Sequence, residues 1–353
     1  MRQAELRQCL IQDLCSKKKL SSPGFSPSHR ELNALHPELV RFLPTWSARY
    51  PCAKGDATPR IRGVALQARC YQLRLFREVQ TVMDALAKHE IAFAVCKGVS
   101  VMSLAGLAPG DRILHDVDLL LRERDAVWVV DYLRSQGWKE RMGKAGDRLR
   151  ISHHVDWVSP AGNRLNLQWA LLGEELNPDR VDQALERRIP LNPGCGLKGQ
   201  GLSLRDQLFQ SVIAGQESWK GGSIRWIVDS CLLLREEERE VPWSELWNDW
   251  EKADVGRAAC GALRSLQTFR AVEMQRAGRW CEGRARWQMW YREKLSRFFG
   301  LFFLYHRWFS ESRKRVPGRA PTFGTWLGKY TGIGSRRALP GFFFNRLVCR
   351  IRK

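Results

Sequence analysis

The chain has 353 residues, of which 44% are hydrophobic, and it contains 15 tryptophans and 15 phenylalanines. This length and composition exclude a disordered chain and are typical of a protein with two domains and a short N-terminal addition. The net charge is +21, and residues 256–353 carry 22 lysines and arginines against four glutamates and no aspartate, a net charge of +18. Such a segment suits an anionic partner (nucleic acid, phospholipid or an anionic glycan), but a solvated helical surface explains it equally well.

The cysteines and histidines give no sign of a zinc site. None of the ten cysteines forms a CxxC pair, and the seven histidines are scattered. Such cysteines are typical of buried thiols in a reducing compartment. The N-terminal segment lacks the apolar core of a signal peptide, and the apolar run 298–309 is too short to span a bilayer. We therefore expect a cytoplasmic protein without an integral membrane span, either free or peripheral to the membrane.

The first third of the chain alternates between helical and extended patterns. A short helix is predicted over 4–15, and apolar residues at helical spacing predict a long amphipathic helix over 64–89. The apolar run 91–96 then predicts a buried strand that stops at Lys97. A short helix over 100–105 precedes a loop rich in glycine and proline.

The following segment continues this alternation up to a glycine-rich boundary. A second strand is predicted over 116–121, followed by a helix that ends before Gly137. Two alternating runs flank Ser-Pro-Ala-Gly at 159–162, which predicts a β-hairpin. Beyond the glycine-rich segment 192–201 every pattern is helical. We therefore predict an α+β fold with an N-terminal extension (1–60), a core (61–200) and a basic, all-helical C-terminal domain (201–353).

Two aspartates at the start of the second strand predict a metal site. Residues i and i+2 of a strand project to the same face, so the carboxylates of Asp116 and Asp118 lie together. Two neighbouring anions are stable only with a cation between them, and Mg²⁺ suits two carboxylates plus phosphate oxygens. Gly98 would let backbone amides approach those phosphates, and Lys97 and Arg112 could neutralise their charge. The alternative is a polar strand edge without a metal.

These motifs, in this order, resemble a family of uncharacterised bacterial nucleotidyltransferases in the polymerase-β-like superfamily. The resemblance covers about residues 65–235 and is clearest in Lys97-Gly98, Arg112, Asp116-Val117-Asp118-Leu119-Leu120 and Gly137-Trp138. It implies a nucleotidyltransferase core, a small mixed sheet with flanking helices, followed by the basic helical region.

The resemblance also implies a chemistry. Mg²⁺ or Mn²⁺ would be held by Asp116 and Asp118, and a nucleoside triphosphate would bind near Gly98 and Ser100. Lys97 and Arg112 would be its charge partners. Transfer would proceed by in-line attack on the α-phosphorus, with pyrophosphate leaving.

Two positions depart from the family pattern. The third carboxylate of the superfamily falls at Asn166, and the family's histidine falls at Gln168. A neutral amide is a poorer ligand for a hard cation and cannot act as a base. If the hairpin loop is centred on Ala161, Asp156 lies opposite Asn166 and could supply the missing carboxylate, or it is an ordinary polar residue on a solvent face. The same register places His154 opposite Gln168.

Several other residues have a structural interpretation. The hairpin register puts Val155, Trp157, Leu165, Leu167 and Trp169 on the face away from Asp156. Trp169, Trp219 and Trp226 are expected in the core rather than as base-stacking platforms. Asp229, on a predicted helix, is expected to be a buried or capping acid, and it could orient a basic residue.

Three functions fit these patterns. The first is a Mg²⁺-dependent nucleotidyltransferase that moves a nucleoside monophosphate to an unidentified acceptor, such as a small molecule, glycan, peptide, protein or nucleic-acid end. The second is a catalytically impaired relative that binds a nucleotide or a partner, as Asn166 and Gln168 would suggest. The third is a basic module that binds nucleic acid or an anionic membrane through its C-terminal region.

Overall fold

The computed structural model describes residues 3–15, 25, 27–35, 37–51, 57–141, 154–172, 178–218, 225–234, 241–253 and 255–268. Most of the basic C-terminal region and Trp219 lie outside these residues. The expectations for them, and the division at residues 60 and 200, stay predictions.

The centre of the fold is one mixed sheet, which in the described residues has seven strands in the order β3-β4-β5-β2-β1-β7-β6. The strands are β1 (Phe93–Cys96), β2 (Val117–Leu121), β3 (Lys139–Glu140), β4 (His154–Val158), β5 (Arg164–Gln168), β6 (Ile189–Pro190) and β7 (Gln200–Gly201). The β1–β2 and β4–β5 pairs are antiparallel, whereas β2–β5 and β1–β7 are parallel. The predicted α+β class, with a mixed sheet and flanking helices, is confirmed.

Helices surround this sheet and make up the rest of the regular structure described. They are α1 (Gln3–Cys15), α2 (His29–Ala34), α3 (Pro37–Val40), α4 (Leu43–Arg49), α5 (Thr58–Lys88), α6 (Lys97–Leu104), α7 (Ala126–Ser135), α8 (Pro178–Glu186), α9 (Leu204–Ser218), α10 (Arg225–Leu233), α11 (Trp243–Lys252) and α12 (Gly256–Thr268). None of these combines the length and the apolar character needed to cross a membrane.

Two helix starts differ from the predictions. The long helix α5 begins at Thr58 rather than at residue 64, because a proline in its first turn is compatible with helical backbone and needs no amide hydrogen. The short helix α6 begins at Lys97 rather than at residue 100. Its first residue has a φ of 51°, a left-handed conformation that a non-glycine residue adopts at a cost of about 1 kcal/mol or more.

Alternate residues of the strands enter two different cores. Val95, Leu119, Leu167 and their neighbours on the same face pack against α5 and α7. This core also contains Val155, Trp157, Leu165, Leu167 and Trp169, as the hairpin register predicted. The other sheet face therefore remains for the polar residues of β2 and β5.

That second face is covered by the N-terminal helices and by helices that follow the sheet in the chain. Cys96 and Leu120 share a core with residues of α9 and α10 and with residues of the N-terminal helices, such as Leu10 and Trp46. The carboxylate of Asp13 joins the N-terminal elements, since it accepts hydrogen bonds from the indole of Trp46 at 3.0 Å and the amide of Phe25 at 2.9 Å. The N-terminal segment is thus packed on the same side of the sheet as the candidate site.

The cysteines agree only in part with the expectation of thiols. Cys9, Cys15, Cys70, Cys96, Cys195 and Cys231 are thiols outside any disulfide, and most of them are buried. Cys260 instead forms a disulfide, so the expectation is wrong at that position. No cysteine spacing indicated this bond.

Candidate active site

A cavity of about 360 Å³ lies where β2 and β5 meet α6, α9 and α10. Five of the seven predicted site residues line it, namely Lys97, Gly98, Arg112, Asp116 and Asp118. Ser100 and Asp156 are not among its lining residues. Residues from six separate parts of the chain therefore build one cavity.

The two aspartates lie together, as their spacing predicted. Asp118 is the second residue of β2 and is 6% exposed, and Asp116 directly precedes the strand. The pKa of Asp116 is raised, because the surrounding protein excludes water from its carboxyl and because the neighbouring Asp118 carboxylate carries the same charge. A cation between the two carboxylates would relieve this repulsion.

One oxygen of Asp118 accepts two hydrogen bonds. Lys97 Nζ donates to Asp118 Oδ1 at 2.7 Å, and Asn166 Nδ2 donates to the same oxygen at 2.8 Å. Burial by itself would lower the pKa of Lys97, but the Asp118 carboxylate outweighs it and the pKa is raised. The lysine is therefore a protonated partner of the carboxylate.

The packing at the start of α6 leaves no room for a side chain at Gly98. A Cβ atom added there would lie 2.5 Å from Leu114 Cδ2 and 2.7 Å from Arg112 Nη1. Real Cβ atoms do not approach other heavy atoms so closely, so the missing side chain makes room for the guanidinium. The sequence analysis predicts that this glycine gives phosphates access to the backbone. The close packing of Leu114 and Arg112 is a second reason for a glycine at this position.

Arg112 is fixed by Asp229 of α10. Its Nε donates to Asp229 Oδ1 at 2.9 Å and its Nη2 donates to Oδ2 at 2.8 Å, while both residues are more than nine-tenths buried. This confirms that Asp229 is a buried acid that orients a basic residue. The pair leaves Nη1 on the side of Gly98.

Ser100 lies apart from these groups. It is 1% exposed, and its hydroxyl has no hydrogen-bond partner within the described part of the chain. Because it does not line the cavity, the predicted contact between this hydroxyl and a phosphate stays a prediction.

The hairpin has the predicted register. Asp156 pairs with Asn166, and His154 pairs with Gln168. Asn166 in turn pairs with Asp118 across the parallel strands. Asp156 is thus two strands from Asp118, about 10 Å between Cα atoms at the usual strand spacing. Asn166 stands between them, and a role for Asp156 in binding a metal stays a prediction.

Gln168 is held on the same face as Asn166. Its Nε2 donates to Cys96 Sγ at 2.8 Å, and the side chain is 2% exposed. The thiol is equally buried, and burial raises its pKa well above the usual range, with the Asp118 charge adding to the effect. Gln168 therefore packs against a neutral thiol and offers no base.

The cavity also contains residues that sequence reasoning missed. Arg41 comes from the turn between α3 and α4, and Arg225 is the first residue of α10. The pKa of Arg225 is lowered by burial and by the charge of Arg112. Burial and the charges of Arg41 and Arg225 likewise lower the pKa of His115. No sequence signal pointed to Arg41, because its segment is remote along the chain.

Helix α9 contributes a polar stripe. Gln207 and Gln210 line the cavity although they are only 1% and 2% exposed. Two glutamines three residues apart, next to the apolar residues Leu208, Phe209 and Val212, were the signal that could have identified this wall.

Two solved structures have a partial likeness to this chain. The crystal structure of an antigenic nucleotidyltransferase-like protein from Paracoccidioides brasiliensis is 19% identical with a TM-score of 0.33, and the match covers 52% of this chain and 91% of that one. The solution structure of the antibiotic-resistance factor ANT(2'')-Ia is 12% identical with a TM-score of 0.31, covering 59% and 94%. No curated protein matches the sequence.

The family model described as "uncharacterised nucleotidyltransferase" matches residues 53–270. This range includes the sheet, the paired aspartates, Arg112 and its partner Asp229. Arg41 lies before the matched range. Since the match covers more than half of the sequence, the chain belongs to this family of uncharacterised nucleotidyltransferases.

Proposed function

We propose that this protein transfers a nucleoside monophosphate from a nucleoside triphosphate to an acceptor, with Mg²⁺ or Mn²⁺ as its cofactor. The observation that carries the proposal is a single cavity that contains Asp116 and Asp118 together with Arg41, Arg112 and Arg225. Adjacent carboxylates suit a divalent cation, and arginines suit phosphate oxygens. Membership of a nucleotidyltransferase family supports the same reaction class.

The carboxylates fit one hard cation. The pKa of Asp116 is raised first by burial and then by the charge of Asp118, and such a cation would reduce that repulsion. Asp118 Oδ2 is not used by the hydrogen bonds to Lys97 and Asn166. Within the described part of the chain, no group of three or more His, Cys, Asp or Glu residues could hold a metal. The remaining ligands would be water and phosphate oxygens, which Mg²⁺ accepts readily. When bound, the cation would neutralise phosphate charge.

The arginines would hold the triphosphate. Arg112 is oriented by Asp229, and the lowered pKa of Arg225 reflects burial and the like charge of Arg112. An anion among these side chains would relieve that repulsion. In such a site, positioning and charge neutralisation supply most of the rate.

The covalent change is a simple substitution at phosphorus. An acceptor hydroxyl oxygen forms a bond to the α-phosphorus, the bond from that phosphorus to the β-phosphate oxygen breaks, and pyrophosphate leaves. Gln168 cannot take the hydroxyl proton, which passes to solvent water. The acceptor is a small molecule, glycan, peptide, protein or nucleic-acid end, since the core does not select among these classes.

Asn166 favours a second candidate, a relative that binds nucleotide without turnover. Its amide donates to Asp118 at the position where a third carboxylate would otherwise stand. Release of pyrophosphate in the presence of candidate acceptors separates the two functions. Nucleotide binding that depends on Mg²⁺, without any release, would favour the binder. The basic module remains a third proposal that concerns residues 256–353.

Calorimetry with a non-hydrolysable nucleoside triphosphate tests the site. We expect binding that requires Mg²⁺, and a loss of at least about tenfold in affinity for Asp116→Asn and for Asp118→Asn, since each removes one metal ligand. Asp131→Asn is the matched control, because Asp131 is exposed on α7 and does not line the cavity. Unchanged affinity in both site variants would count against the proposal.

A further inference from the structure

The two carboxylate oxygens of Asp118 differ in the hydrogen bonds that they accept. Its Oδ1 accepts hydrogen bonds from Lys97 Nζ at 2.7 Å and from Asn166 Nδ2 at 2.8 Å, whereas these contacts leave Oδ2 unused. The Lys97 side chain is 43% exposed and lines the cavity, while that of Asp118 is only 8% exposed. The ammonium of Lys97 therefore already places a positive charge of the protein beside the Asp118 carboxylate.

In the part of the chain that the structure describes, this arrangement suits two divalent ions poorly, because the Asn166 oxygen that makes no hydrogen bond, Oδ1, belongs to a neutral amide. In two-metal sites the ions lie roughly 3.5–4 Å apart, and a carboxylate between them gives one oxygen to each. Here Oδ1 of Asp118 faces an ammonium, and its neighbour in the sheet, Asn166, directs an N–H group at it. An N–H group cannot ligate a metal. The next carboxylate, Asp156, is one strand further away.

The position of Lys97 is built into the fold. Its backbone is held at a φ of 51° between β1 and α6, and the following residue, Gly98, is packed under Arg112 and Leu114. Cys96 on the other side belongs to β1, where it pairs with Asp118. The residues on both sides of Lys97 therefore belong to elements that also contribute residues to the site.

We propose that Lys97 takes the place of a second divalent cation. Asp116 and Asp118 would hold one divalent ion, and the ammonium of Lys97, held by Asp118 Oδ1, would supply the other positive charge. Asn166 completes this arrangement by donating to the same oxygen instead of ligating a metal. The inference rests on the proposed function, because it assumes that Asp116 and Asp118 bind a divalent ion.

The test is the number of Mn²⁺ ions bound per chain, measured by electron paramagnetic resonance with a non-hydrolysable nucleoside triphosphate present. We expect one ion in the wild-type protein. Two ions would overturn the role of Lys97 and leave the proposed function intact. No bound ion would instead overturn the proposed function, and the inference with it. This measurement uses only the wild-type protein, so its result does not depend on whether a variant folds.

Variants then test Lys97 directly. Without nucleotide, Lys97→Met should bind Mn²⁺ roughly tenfold more tightly, because a competing positive charge is gone. Lys97→Arg should match the wild type, and so should Lys88→Met, which removes a lysine from the end of α5 outside the cavity. An affinity for Lys97→Met within about twofold of wild type would contradict the proposal.

The double variant Lys97→Met, Asn166→Asp provides the strongest contrast. It removes the ammonium and adds a carboxylate beside Asp118, so we expect two Mn²⁺ ions per chain. Asn166→Asp alone should still bind one, since Lys97 would pair with the new carboxylate. Two ions in this single variant would show that the lysine does not exclude a second metal.

Discussion

Arg112 and Asp229 form a two-point ion pair across 117 residues of sequence, with N–O distances of 2.9 and 2.8 Å. The pair joins the segment before β2 to helix α10, on which Arg225 also lies. It is buried, so each charge depends on the other for its stability. The proposed nucleotide-binding role and a structural role therefore meet in one side chain, Arg112.

Removal of one partner of this pair should destabilise the protein. Asp229→Ala leaves the guanidinium of Arg112 buried without its counter-ion, and we expect a loss of about 3–5 kcal/mol in the free energy of unfolding. Urea denaturation followed by circular dichroism measures this loss. Arg112→Met combined with Asp229→Leu removes both charges and should cost much less. A double variant as unstable as the single one would mean that packing, and not charge, dominates.

Gly98→Ala tests the close approach at the start of α6. The new Cβ would lie 2.7 Å from Arg112 Nη1 and 2.5 Å from Leu114 Cδ2, so both side chains must move. We expect a loss of about 1–3 kcal/mol in the free energy of unfolding.

The matched control for this variant is Gly63→Ala. Gly63 lies inside helix α5, and an added Cβ there would meet no atom within 4 Å. Alanine should stabilise the helix by about 0.5–1 kcal/mol, because glycine loses more conformational freedom on folding. Thermal unfolding of the two variants should therefore change in opposite directions, and a stabilised Gly98→Ala would contradict the steric argument.

Local patterns in the sequence predicted strands β1, β2, β4 and β5, whereas the two-residue strands β3, β6 and β7 were not predicted. Alternation along β4 and β5 predicted both the register of Asp156 with Asn166 and the apolar face that includes Trp157. Spacing also predicted that Asp116 and Asp118 would lie together. These features depend on the two-residue period of a strand and on the length of one turn, and both can be read directly from the chain.

Contacts between distant segments could not be predicted in the same way. The hydrogen bonds of Lys97 and Asn166 to one oxygen of Asp118 depend on the order of strands in the sheet, which short motifs do not determine. Arg41 reaches the cavity because the N-terminal helices pack on the same sheet face as α10. Such placement follows from tertiary packing and not from local spacing.

Arg41 should contribute to triphosphate binding although it precedes the family-matched range. Arg41→Ala removes a charge from the cavity, and we expect about tenfold weaker binding of a nucleoside triphosphate and of pyrophosphate at low salt. Nucleoside binding should not change, because a nucleoside carries no phosphate. Arg49→Ala, on the adjacent helix α4, removes an arginine outside the cavity and serves as the control. Equal weakening of nucleoside and triphosphate would indicate a general distortion of the site.

Asp116 should reduce the stability of the metal-free protein at neutral pH. Its pKa in the folded state is raised from the ordinary aspartate value of 3.8, first by burial and then by the charge of Asp118. The folded state therefore binds more protons than the unfolded state between these two pKa values. Stability falls as the pH rises through that interval, and the full loss is present above the folded-state pKa.

Asp116→Asn should remove this pH-dependent loss. In a buffer with a chelator, the variant is expected to have a larger free energy of unfolding than the wild type at pH 7. The difference should shrink as the pH falls toward 3.8, the ordinary aspartate value, where the wild-type carboxyl is protonated as well. Asp131→Asn should show no such trend, since Asp131 lies on the surface of α7. A variant that is less stable than wild type at pH 7 would contradict the expected destabilisation by the buried, charged Asp116 carboxylate beside Asp118.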